Sequence, residues 1–123
     1  MASYVKRVAI SSAGMTLDDE VDPHFGRCER FLVVEGDEVT VIENSAHTAR
    51  EGAGIRSAQL MIDQGITDVI TGSVGPKAFQ VLREAGIRIY TGCSGKIMDS
   101  LKKCQDGELE ESAGASHRGH KGA

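Results

Sequence analysis

The polar segment 22–28 holds the side chains best suited to chemistry. It reads Asp-Pro-His-Phe-Gly-Arg-Cys, so the imidazole of His24, the guanidinium of Arg27 and the thiol of Cys28 fall within five residues. Imidazole and thiolate are common protein ligands of soft and borderline metals, and arginine can neutralise an anionic ligand. The segment therefore predicts a binding site for a negatively charged ligand that contains metal and sulfur.

Two cysteines are candidate metal ligands in addition to this histidine. The arginines that flank Cys28 would lower its pKa, and Cys93 lies in a Gly-rich turn before a helix, which also favours thiolate. Cys28 could instead pack inward as a small apolar residue, and Cys104 lies on an apolar stripe typical of a core. No C-x-x-C pair occurs, so neither a zinc ribbon nor a four-thiolate iron–sulfur site is expected.

A cluster bound here would therefore have few protein ligands and would depend on charge and hydrogen bonds. We predict metal contacts from His24, Cys28 and Cys93. The predicted cofactor-binding residues, which supply positive charge or backbone N–H donors, are His24, Arg27, Arg50, Arg56, Gly92, Ser94, Gly95 and Lys96.

Apolar patterns predict an α/β fold that would bring these residues together. We expect strands over residues 5–11, 31–35, 38–43, 68–71 and 87–91, and three helices that begin after Gly54, near Pro76 and at Ile97. The order favours a five-stranded mixed sheet, in which the first three strands form an antiparallel meander and the last two run parallel to the first. The loops after strands one and three and two T-G-x-x-G turns (71–75 and 91–95) then leave the carboxyl edge, where open α/β sheets bind ligands. The side chains expected to converge there are His24, Arg27, Cys28, His47, Arg50, Cys93 and Lys96.

Length and composition limit the function classes. With 123 residues the chain is expected to form one domain over residues 1–109, followed by a disordered polar tail (110–123) that carries His117 and His120. The formal net charge of -4 argues against nucleic-acid binding. Neither a transmembrane segment nor a signal peptide is apparent, and three cysteines do not suggest a disulfide framework, so we expect a cytoplasmic protein.

Several longer motifs occur in a specific order between Val5 and about Leu109. They are V-A-I-S-S, then L-D-x-x-V-D-P-H-F-G-R-C followed by F-L-V-V-E, then G-A-G-I-R-S-A-Q-L-M-I-D-Q-G-I-T-D-V-I-T-G-S-V-G-P-K-A-F, and finally I-Y-T-G-C-S-G. In order and spacing the chain resembles the dinitrogenase iron–molybdenum cofactor biosynthesis family, the small domains related to NifX, NafY and the C-terminal part of NifB.

The resemblance implies a ribonuclease H-like fold and the binding of an iron–molybdenum cofactor, or a related metal–sulfur cluster, for storage or delivery. It assigns the cluster contact to His24, and it implies cluster-assembly or acceptor proteins as partners. Stand-alone members of the family also occur outside nitrogen fixation. A mixed metal–sulfide cluster containing molybdenum is therefore another expected cargo. Nuclease activity is not implied, because ribonuclease H-like enzymes need a carboxylate on the first strand, which here reads Val-Ala-Ile-Ser-Ser over residues 8–12.

Three hypotheses follow from these patterns. The first is a non-enzymatic carrier or chaperone for an anionic metal–sulfur cluster. The second is a metal-independent binding module for a small organic anion or nucleotide at helix N-termini. The third is a hydrolase that uses a metal held by Asp18, Asp19 and Asp22.

Overall fold

The computed structural model describes residues 6–114. Within them the chain forms a mixed five-stranded sheet with three α-helices, as the sequence predicts. Most of the predicted tail, with His117 and His120, lies outside the described residues. The strands are β1 (Val8–Ser12), β2 (Arg30–Glu35), β3 (Glu38–Glu43), β4 (Asp68–Ile70) and β5 (Arg88–Tyr90), and the helices are a 3-10 helix (Ser45–Thr48), α1 (Ala53–Asp63), α2 (Pro76–Glu84) and α3 (Ile97–Gln105).

The strands lie in the order β3-β2-β1-β4-β5. β2 is antiparallel to both β1 and β3, whereas β4 is parallel to both β1 and β5. The central position of β1 was not specified by the sequence pattern. The carboxyl ends of β1, β3, β4 and β5 consequently lie at one edge of the sheet.

Helices cover both faces of the sheet. The core therefore consists of two apolar clusters, one on each face. Helices α1 and α2 cover one face, where Met61 and Leu82 pack with Phe31 and Val69. Helix α3 covers the other face, and its apolar side chains pack against Ile10 and other strand residues. β4 is buried along its whole length, as is usual for a parallel strand between two helical layers.

The long loop between β1 and β2 runs along the carboxyl edge and is bonded to it at several points. The N–H of Asp22 donates to the carbonyl of Ser11 (2.8 Å), and that of Val21 donates to the carbonyl of Gly95 (2.9 Å). The N–H of Ser73 donates to the carbonyl of Pro23 (2.8 Å). The loop is thereby fixed against the turns that follow β4 and β5.

The segment after α3 returns to the outer strand of the sheet. The N–H of Ser112 donates to the carbonyl of Ile89 (2.8 Å), and the N–H of Thr91 donates to the hydroxyl of Ser112 (3.0 Å). Ser112, which falls within the predicted tail, therefore contacts β5. None of the helices within residues 6–114 has the length and apolar character needed to cross a bilayer.

Replacing Gly72 by alanine tests the close contact between the loop and the sheet. A Cβ on Gly72 would lie 2.6 Å from the Cα of Pro23 and 2.7 Å from its carbonyl oxygen. Because both are backbone atoms, we expect Gly72→Ala to lower the free energy of unfolding by about 1–3 kcal/mol, as measured by urea denaturation. Gly75→Ala is the matched control, since a Cβ there meets no atom within 4 Å and should change the stability by less than about 1 kcal/mol. Equal losses in the two variants would contradict this packing.

Candidate functional site

An open groove of about 860 Å³ lies at the carboxyl edge, between the segment 24–27 and the first turns of α1 and α2. The three parts that line it are distant in sequence but lie on the same side of the sheet. Its charged and imidazole-bearing residues are His24, Arg27, Glu51, Arg56 and Lys77.

His24 is held by its backbone and leaves its imidazole exposed. On one side the N–H of Phe25 donates to the carbonyl of Ser73 (3.1 Å), and the Phe25 ring is buried in the core. On the other side the carboxylate of Asp22 accepts the N–H of His24 (2.8 Å). The side chain of His24 is 69% exposed, with Nδ1 3.9 Å from Oδ1 of Asp22. The imidazole is thus available to a ligand, while its backbone position is fixed.

Two helices begin at this groove without side-chain caps. α1 follows Gly52, whose φ of 74° is a left-handed conformation that suits glycine, and α2 follows Gly75 with Pro76 at its first position. Neither N-terminus receives a side-chain hydrogen bond at its cap. Because the first N–H groups of a helix lack intrahelical partners and carry partial positive charge, both ends are suited to an anion.

Small residues allow the walls of the groove to approach each other. A Cβ on Gly26 would lie 2.8 Å from the Cα of Gly54 in α1. A Cβ on Gly54 would in turn lie 3.2 Å from the Cβ of Ala78 in α2. The segment 24–27 therefore packs backbone against backbone on the start of α1, and α1 in turn packs closely against the small side chain of Ala78, which larger residues at positions 26 and 54 would prevent.

The groove carries more positive than negative charge. Three cations, Arg27, Arg56 and Lys77, and one carboxylate, Glu51, line it, in a chain whose formal net charge is -4. Lys77 is absent from the predicted site, although its position directly after Pro76 in the first turn of α2 could have revealed it. The sequence-based assignment of Arg27 and Arg56 to one site agrees with this geometry.

The interpretation of Cys28 as a thiolate ligand is wrong. Its side chain is fully buried, and Sγ donates to the carbonyl of Phe25 at 3.3 Å. Burial, assisted by the charge of Asp22, raises the pKa of Cys28 to about 12. The flanking arginines do not counter this, because Arg27 donates to backbone carbonyls and Arg30 pairs with glutamates. Cys28 is therefore part of the core.

Cys93 does not join the groove either. It packs against the apolar cluster beneath α3, on the opposite face of the sheet from Cys28. Burial raises the pKa of the Cys93 thiol, although a hydrogen bond from Ser100 and the charge of Lys103 act in the other direction. The expected thiolate in this turn is therefore not supported.

At the start of α3, carbonyl groups of the loop between β1 and β2 already accept the first N–H groups of the helix. The N–H groups of Ile97 and Met98, at the start of α3, donate to the carbonyls of Asp19 and Leu17 at 2.9 Å each. The predicted donors and cation of the turn before α3 share the carboxyl edge with His24 but do not line its groove; they are Gly92, Ser94, Gly95 and Lys96. This geometry does not support the prediction that this turn and His24 form one pocket, because residues 17–21 cover the start of α3.

Two further loop residues lie outside the groove lining. Arg50 is exposed and adjoins the lining residue Glu51. His47 is half-buried, with Nδ1 3.0 Å from the carbonyl oxygen of Asn44. Neither residue reaches the groove in this arrangement.

The acidic loop stabilises its own turns. The carboxylate of Asp19 accepts from the N–H and the hydroxyl of Thr16, and these bonds lower the pKa of Asp19. Asp22 accepts the N–H of His24, as described above. In the described part of the chain, no group of three or more His, Cys, Asp or Glu residues is placed to hold a metal ion.

Comparison with known proteins agrees with the motif pattern. The family model described as dinitrogenase iron-molybdenum cofactor matches residues 6–107. An uncharacterized protein of Methanocaldococcus jannaschii is 33% identical over 113 residues, which cover 87% of this chain and 96% of that protein.

Two solved structures are also similar. The apo form of the orange protein (ORP) from Desulfovibrio gigas has a TM-score of 0.87 and 36% identity, over 93% of this chain and 98% of its own. The NMR structure of a Thermotoga protein provisionally identified as NifB has a TM-score of 0.74 and 32% identity, over 86% of this chain and 92% of its own.

The thiols should differ in their reactivity. With a pKa of about 12 and no exposed surface, Cys28 should be alkylated by iodoacetamide at pH 8 at least about tenfold more slowly than the half-buried Cys93, because the thiolate is the reacting form. Mass spectrometry of peptides from a time course measures both rates, and unfolding in urea should make them similar. Faster alkylation of Cys28 than of Cys93 in the folded protein would contradict the burial described here.

Proposed function

The chain belongs to the dinitrogenase iron–molybdenum cofactor family, and on that basis we propose that it binds an iron–molybdenum cofactor or a related anionic metal–sulfur cluster. The cluster is held in the groove for storage, carriage or delivery during metallocluster biosynthesis. The observation that carries this proposal is that two helix N-termini without side-chain caps open into one groove beside three cations and an exposed imidazole.

The electrostatics of the groove suit such a cargo. An anionic cluster placed between α1 and α2 would accept hydrogen bonds from the first N–H groups of both helices. Arg27, Arg56 and Lys77 would offset its charge, and their positive field would favour its approach to a protein that is otherwise acidic.

His24 is the metal contact in this proposal. Its exposed imidazole lines the groove, and a neutral imidazole is a good ligand for transition metals near neutral pH. With Cys28 buried and Cys93 on the other face of the sheet, the cluster would be held by one protein ligand and by charge. Few covalent contacts favour transfer to another protein, which suits a carrier.

We also propose that the protein is not an enzyme. The hydroxyl that lines the groove belongs to Ser73, and it donates to the carbonyl of Pro23 at 3.0 Å. A hydroxyl engaged in this way is not paired with a general base, as a nucleophile requires. This arrangement supports binding without turnover.

A metal-independent site for a small organic anion is the alternative, because helix N-termini bind phosphate-like groups without a metal. The two functions differ in their ligands. A cluster carrier should bind isolated cofactor anaerobically and gain iron, molybdenum and sulfide. The alternative predicts thermal stabilisation by an organic phosphate and no retention of metal.

Replacing His24 by alanine tests the metal contact. Because His24 is exposed, His24→Ala should leave the melting temperature unchanged within about 2 °C while weakening the binding of isolated iron–molybdenum cofactor by about tenfold or more. Anaerobic gel filtration followed by metal analysis measures the binding. Retention of cofactor equal to that of the parent would refute the assignment of His24.

Removing cations from the groove tests the electrostatic part. We expect Arg56→Ala and Lys77→Ala each to weaken cofactor binding by about tenfold, which corresponds to about 1.4 kcal/mol. The loss should shrink at high salt, because exposed charges are screened. Lys102→Ala, which removes an exposed lysine from α3, is the control and should bind like the parent. A loss as large in Lys102→Ala would indicate a nonspecific charge effect.

A further inference from the structure

One buried amide side chain joins the segment 26–28, which borders the groove, to the 3-10 helix and to α1. Asn44 is 1% exposed, and its Nδ2 donates to the carbonyl of Cys28 at 2.9 Å and to that of Gly26 at 3.5 Å. Its Oδ1 accepts from the N–H of Ala46 at 3.3 Å and from the hydroxyl of Ser57 at 3.2 Å. The amide is therefore used as both donor and acceptor.

These partners belong to three different segments, one of which lines the groove. Gly26 lines the groove directly. Ser57 lies on the buried side of α1, one turn after its N-terminus, and its hydroxyl also reaches the carbonyl of Gly26 at 3.4 Å. Ala46 lies in the 3-10 helix that leads to Glu51. Asn44 thus connects the histidine-bearing segment to the start of α1.

Arg27 depends on the same residue for its orientation. Its guanidinium donates to the carbonyls of Ala49 (2.5 Å) and His47 (3.3 Å). The turn that presents these carbonyls begins at Asn44, whose side-chain Oδ1 caps it by accepting the N–H of Ala46. Asn44 therefore holds both the backbone beside Arg27 and the carbonyls that its side chain contacts.

We propose that Asn44 is a positioning residue of the groove, which sets the distance between the segment 24–27 and the N-terminus of α1. The proposal concerns the groove geometry, and its consequence for cofactor affinity rests on the function proposed above. An asparagine is required because the carbonyls of Gly26 and Cys28 need a donor, whereas Ala46 and Ser57 need an acceptor. Aspartate lacks the donor, and alanine lacks both.

The test compares variants on the two faces of the sheet. Asn44→Ala and Ser57→Ala remove the connection in the groove wall. Ser100→Ala removes a buried hydroxyl of α3, and Leu101→Ala removes a large core side chain of the same helix; neither residue lines the groove, so both serve as controls. Amide NMR signals of Gly26 and Gly54 and the Nε–Hε signal of Arg27 report the groove, and anaerobic titration with isolated iron–molybdenum cofactor gives Kd.

We expect Asn44→Ala to shift all three groove signals and to weaken cofactor binding by about tenfold. Leu101→Ala, although less stable than the parent, should leave these signals in place and bind within about twofold of the parent. If Asn44→Ala does not fold, Ser57→Ala replaces it in the test. Ser57→Ala should then shift the amide NMR signal of Gly26, whereas Ser100→Ala should not.

Unchanged groove signals in folded Asn44→Ala, or in Ser57→Ala where that variant replaces it, would overturn the proposal. If the parent binds cofactor, an affinity of Asn44→Ala equal to that of Leu101→Ala would also overturn it. Should the parent fail to bind cofactor at all, the proposed function fails, while the three NMR signals still decide whether Asn44 positions the groove.

Discussion

The N–H groups at the start of a helix need partners, and this requirement governs the carboxyl edge of the sheet. At α3 the need is met inside the protein, by the carbonyls of Leu17 and Asp19. At α1 and α2 no side chain provides a cap, and both starts line one groove. A mobile anion is the natural partner for such groups. The same edge is therefore closed beside one helix and open beside the other two.

The fold creates this difference through topology and small residues. Strands β1, β3, β4 and β5 end at one edge, so the connections that leave them must share it. The loop after β1 then divides the edge: its residues 20–21 cover the start of α3, and its residues 23–25 run beside Ser73. Glycine at position 26 lets this loop lie directly against α1. These backbone contacts fix where the main chain of His24 and Arg27 lies along the edge.

Much of this architecture could be predicted from the chain alone. Hydrophobic periodicity located the five strands and three helices, and β3 has the predicted bounds. The sequence also assigned His24, Arg27 and Arg56 to one site, and all three line the groove. The thiolate prediction for Cys28 rested on the flanking arginines, whereas burial is the largest cause of the shift in its pKa. Neither the face on which a side chain lies nor the partner of an arginine can be read from neighbours in sequence.

The most direct test of the central claim is to locate a bound cluster. Crystals grown anaerobically with isolated iron–molybdenum cofactor, measured at the iron and molybdenum absorption edges, would show where the metals lie. The account predicts anomalous density for both metals in the groove between His24, Arg56 and Lys77. Density beside Cys93 and the turn 92–95 instead, or metal-free crystals of a protein that binds no cofactor in solution, would contradict it.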